Sequence, residues 1–93
     1  MRARHHFHID YRGHSVSATV QTGHTPVVEV LVDGKETGHA TTRDDRPVTV
    51  RIELPTDPPT PVTVRATPGP GVPRCLLLAP EHPDGHVMAP RIY

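Results

Sequence analysis

Eleven of the chain's twelve prolines fall at or after Pro47, and they recur too often for a helix of ordinary length to fit between them. Between the interruptions lie short segments in which apolar and polar residues alternate, the period of a strand. Twelve valines and eleven threonines reinforce this bias. Their β-branched side chains suit a pleated, half-buried surface and lose rotamer freedom in a helix. Ala, Glu, Lys and Gln are too few to supply helix propensity elsewhere.

The alternation assigns faces as well as elements. Over residues 5–11, Phe7, Ile9 and Tyr11 point to one side, and His6, His8 and Asp10 to the other. Arg12-Gly13 supplies a two-residue turn, and residues 14–20 alternate again. That loop length sets Ile9 opposite Val16 and Phe7 opposite Ala18 inside, with His8 opposite Ser17 and His6 opposite Thr19 outside. Residues 27–32 then meet Asp33-Gly34, a strong hairpin signal, and return over residues 35–42. Val28, Val30 and Val32 share one face of this strand while Val27 and Leu31 occupy the other, so it is either central or part of an interface.

Residues 43–46 read as a polar connection to a strand with Val48, Val50, Ile52 and Leu54 inward and Thr49, Arg51 and Glu53 outward. Proline-rich connections at 55–61 and 68–73 flank a further alternating strand at 62–67. Residues 74–79 form the next strand, followed by a turn around 81–85 and a short apolar stretch at Val87 and Met88. The expectation is one all-β domain over residues 1–93: a small antiparallel β-sandwich, or a partly open barrel, of seven to eight short strands. A chain of this length has room for a single core.

Charge narrows the classes of function. Ten basic residues balance ten acidic ones, so no overall field draws the chain to nucleic acid or to an anionic membrane. The longest apolar run, residues 75–80, is too short to span a bilayer. The opening MRARHHFHID does not read as a secretory leader, and the single Cys75 forms no internal disulfide, so a cytoplasmic protein is expected.

Eight histidines are the compositional anomaly. His6 and His8, two apart on one strand face, could chelate Zn, Ni or Cu, with Asp10 on the same face or with His5, His14 or His24 nearby. The alternative is a solvated polar face. Ser17, His8 and Asp10 hold the ingredients of a nucleophilic triad, but parallel side chains on an open sheet lack an oxyanion site and a cleft. His39, placed opposite Val28 by a two-residue loop, reads as a histidine at the core margin. Asp44-Asp45 could be paired acids or ion ligands, but between Arg43 and Arg46 they read as a solvated turn. Cys75 with Met88 invites a Cu(I) site, while a lone cysteine in an apolar strand is more often a small buried hydrophobe. Residues 58–61 match PxxP but join two strands and read as a rigid turn. Arg51 and Arg65 would form an anion patch except that Glu53 stands in the same row.

Residues 30–36 (VLVDGKE) are similar to the hairpin phrase of several small sandwiches, among them proteins of the Fas apoptosis inhibitory molecule type. The likeness implies the turn and no activity. The expected function is therefore a non-enzymatic binding or accessory module without a cofactor, acting through a protein partner or through self-association as a homodimer. The alternative is a histidine-based metal protein using His6, His8 and Asp10.

Overall fold

The computed structural model describes residues 3–43, 46–69 and 71–91, which contain strands, turns and loops and no helix. Nine strands are found among them: β1 (Ala3–Tyr11), β2 (His14–Thr22), β3 (Val27–Val32), β4 (Lys35–Thr41), β5 (Val48–Leu54), β6 (Thr60–Thr67), β7 (Arg74–Ala79), β8 (His82–Val87) and β9 (Ala89–Arg91). They form two antiparallel sheets, one ordered β4-β3-β2-β1-β9 and the other β5-β6-β7-β8. The sheets stack as a sandwich and do not close into a barrel.

The first two hairpins follow from their turns. Arg12 and Gly13 have φ of 51° and 78°, and Asp33 and Gly34 have 52° and 85°. Positive φ at both central residues is the turn whose twist matches flanking strands. The first register is the expected one, with Ile9 opposite Val16, Phe7 opposite Ala18, His8 opposite Ser17 and His6 opposite Thr19.

The second hairpin departs from expectation halfway. Val30 pairs with Gly38 but Leu31 pairs with Glu36, so Thr37 is an extra residue in β4, its hydroxyl donating to the Val30 carbonyl at 3.3 Å. A bulge shifts every later side chain by one position. His39 consequently lies opposite Glu29, not Val28, and its side chain is 69% exposed. β3 itself runs between β2 and β4, with Val28, Val30 and Val32 buried and Val27 and Leu31 half-buried. The strand is thus central in its sheet, as one of the two readings expected.

In the second sheet, Val50 faces Val64 and Ile52 faces Val62. The PxxP segment lies in the β5–β6 connection and the start of β6, with a cis Asp57–Pro58 bond and the Thr56 hydroxyl donating to the Pro58 carbonyl at 2.8 Å. After β7 the turn is tighter than expected, spanning Pro80 and Glu81, and residues 82–87 are strand where a turn over 81–85 was expected. The apolar pair at the end is divided by burial. Val87 ends β8 and is exposed, whereas the buried Met88 donates its N–H to the Cys75 carbonyl at 3.0 Å and leads into β9 beside β1.

The inner faces make one core, including Phe7, Val16, Val20 and Val30 from one sheet and Val50, Leu54, Val64 and Leu77 from the other. Full burial of each such side chain stabilises the fold by roughly 1.5–3 kcal/mol. No polar or charged residue is buried among the described residues. The sheets are in tight contact where β4 passes β5: a Cβ on Gly38 would lie 2.7 Å from a Val50 methyl and 3.3 Å from one of Ile52. No helix of the described residues is long and apolar enough to cross a membrane.

Candidate functional site

Strand alternation carries His6, His8 and Asp10 to the outer face of β1, between β2 and β9. His8 Nε2 lies 2.8 Å from Ser15 Oγ and 3.3 Å from Asp10 Oδ1, while its Nδ1 lies 2.9 Å from an Arg91 guanidinium nitrogen. Arginine can only donate, so Nδ1 accepts and the imidazole proton sits on Nε2. From there it is donated towards Ser15 and Asp10. His6 Nδ1 is 3.2 Å from the Thr19 hydroxyl.

This geometry decides what the face can do. A triad needs the serine on one imidazole nitrogen and the carboxylate on the other. Here both lie on Nε2, the serine is Ser15 and not the expected Ser17, and the second nitrogen is taken by Arg91. No group of three or more His, Cys, Asp or Glu side chains among the described residues is gathered closely enough to hold a metal ion. A metal on His8 would have to displace Arg91 or Ser15. Of the other donors, His14 is committed elsewhere: its Nδ1 is 2.7 Å from Asp33 Oδ2, and Asp33 also accepts from the Ser15 amide at 3.0 Å. The His14 hydrogen bond, helped by that amide, lowers the Asp33 pKa below its ordinary value. Asp44-Asp45 lie outside the described residues.

Cys75 is 1% exposed, and burial pushes its thiol up to about 12. It is a packing residue beside Met88, as the buried reading expected.

The two ends of the sandwich along β1 and β7 are built differently. At one end Tyr11 donates a hydrogen bond to Glu81 in the β7–β8 turn, and Arg12 bridges the same carboxylate at 2.7 Å. His86 packs nearby at a tilt, with ring centroids 4.4 Å from His82 and 5.8 Å from Tyr11, and its Nε2 is buried without a hydrogen-bond partner. At the other end the chain leaves β8 for β9 at Met88 and passes from one sheet to the other. Here lies a cleft of about 510 Å³ lined by residues of β1, of the approach to β7 and of the β8–β9 crossover.

Apolar groups including Phe7, Cys75, Met88 and Pro90 line this cleft, together with Arg4, Arg74 and Arg91. Val72 and Val87, also lining it, are 80% and 77% exposed. The periodicity of the chain could not reveal the site, because its residues are brought together from positions 4–7, 72–75 and 87–91. The one local signal was Val72, a lone aliphatic residue in a proline- and glycine-rich connection.

Fold and site together define an antiparallel nine-stranded β-sandwich with a histidine-bearing sheet face and an arginine-rimmed apolar cleft. Comparison of the chain with protein-family models, with curated proteins and with solved structures returns no match.

Proposed function

We propose that the domain is a non-enzymatic binding or accessory module that works by contact with a protein partner. The observation that carries this reading is the pair of exposed valines, Val72 and Val87, on the rim of an apolar cleft. Aliphatic side chains left in water beside a concave apolar surface mark a place where a partner gains by covering them. The contact is led by side chains more than by strand addition, because Pro83 in β8 and Pro90 in β9 interrupt the donors of those two edges. His8 adds support for a non-catalytic role, since its hydrogen bonds to Arg91 and Ser15 leave it no nitrogen with which to take a serine proton.

The test is a Val72→Asp/Val87→Asp variant. It should match the parent in circular dichroism and melting temperature, yet lose the protein that co-purifies with the parent from its host. Sedimentation equilibrium of both forms reads whether that partner is a second copy. An unchanged set of captured proteins and an unchanged mass distribution would refute the reading.

The second reading is a Zn, Ni or Cu site at His6, His8 and Asp10, favoured by the 3.3 Å approach of His8 to Asp10. Metal titration of the parent and of the His6→Ala/His8→Ala variant decides it, because equal affinity in the two ends that reading.

A further inference from the structure

We propose that the cleft at the β8–β9 crossover receives an extended acidic segment of a protein partner, its carboxylates meeting Arg4, Arg74 and Arg91 and its aliphatic side chains resting on the floor. This deepens the binding reading and rests on it. Three arginines line the cleft and no aspartate or glutamate does. In a chain whose charges balance overall, that is a local separation of charge. None of the three arginines forms an ion pair with an acid among the described residues. Arg91 donates an N–H to His8, but the acceptor is the lone pair of an uncharged nitrogen, so the arginine's charge is not cancelled. Clusters of arginine without counter-ions are the usual means of recognising acidic motifs, because the planar guanidinium matches a carboxylate with two parallel hydrogen bonds.

The shape favours an extended chain over a small molecule. A second depression of about 500 Å³ shares His5, Val72 and Pro73 with the cleft and continues past Thr22 and Pro68, again with no acid in its lining. A small ligand seated in the cleft would leave that continuation empty. By contrast, a depression of about 760 Å³ elsewhere on the surface is lined by both Arg51 and Glu53 and offers no single charge to a partner. Charge complementarity thus singles out the β8–β9 end.

Selection from a displayed library of random peptides against the immobilised domain tests this directly. Enriched peptides should interleave Asp or Glu with aliphatic residues. By fluorescence anisotropy, the leading peptide should bind at least about tenfold tighter than its Gln/Asn counterpart and weaken as salt is raised. The Arg4→Glu/Arg74→Glu variant, whose substitutions are both exposed, should keep the melting temperature and lose the acidic peptide. Enriched peptides without an acidic excess, a Gln/Asn counterpart that binds equally, or no enrichment at all would overturn the proposal. Saturable binding of decanoate, abolished by the arginine variant, with no peptide selected would also overturn it and assign the cleft to small amphiphilic anions. The broader binding reading fails on a different measurement, the indifference of partner capture and self-association to Val72→Asp/Val87→Asp.

Discussion

With Arg91 donating to its Nδ1, His8 holds its proton on Nε2 and serves as a link between β9 and β2 through Ser15. The same logic of partners and burial governs the other reactive groups. Cys75, buried and pushed up to about 12, exists almost wholly as the unreactive thiol near neutral pH. Ellman's reagent should leave the native protein unlabelled at mildly alkaline pH and label it promptly in denaturant, whereas prompt native labelling would mean that the cleft end opens. Asp33 gives a pH dependence of defined sign. Its carboxyl is more acidic folded than unfolded, so the unfolded chain binds the proton more tightly. The stabilisation is present above the ordinary value of 3.8 and is lost as pH falls through and below it. Urea midpoints of the parent should drop across that range, and Asp33→Asn should start lower at neutral pH and drop less. Equal acid sensitivity of the two would place the titration elsewhere. At this scale the sequence placed His6, His8 and Asp10 on one face correctly. It could not show Arg91 arriving on His8, because that contact joins residues 83 positions apart.

Elements were legible in proportion to how much of their geometry is local. The β1–β2 hairpin has a glycine-containing two-residue turn and matching alternation on both strands, so face and register could be read together. The bulge at Thr37 could not, since an extra residue leaves no mark in a strand that is polar on most of its length. β8 and β9 are strands by virtue of their neighbours: His82, Pro83, Asp84 and Gly85 have no apolar period of their own and pair because β7 presents an edge to them. β4 carries a sharper prediction. Its Gly38 is needed for space, because an added Cβ would meet the buried methyls of Val50 and Ile52. Gly38→Ala should cost about 1–3 kcal/mol by overpacking, read as a shift of the urea midpoint with unchanged slope. Recovery in a Gly38→Ala/Val50→Ala double variant would locate the clash, and a neutral Gly38→Ala would show that β4 and β5 can move apart.

The whole molecule is two meanders, β1 to β4 and β5 to β8, each pairing in sequence order, with β9 as the one strand that carries the chain from the second sheet back to the first. β9 is held at three pairs, His6–Arg91, Phe7–Pro90 and His8–Ala89, and its proline brings no donor. Hydrogen exchange should therefore release the β9 amides well before those of β2, β3, β6 and β7, which are paired on both sides. Exchange of β9 as slow as that of β2 would mean that the crossover at Met88 is anchored by more than these pairs. The sandwich class was legible because it follows from alternation and turn spacing. The cleft was not, because its lining is gathered from three stretches of chain that are far apart in sequence.

The antiparallel pairing of His6 with Arg91 has a further consequence. β9 runs antiparallel to β1, so Arg91 at the end of β9 and Ala3 at the start of β1 lie at the same end of their sheet, beside Arg4 and the mouth of the cleft. Two strand ends that stand side by side put whatever approaches that edge directly over the arginines of the cleft, so pairing and charge meet a partner at one place.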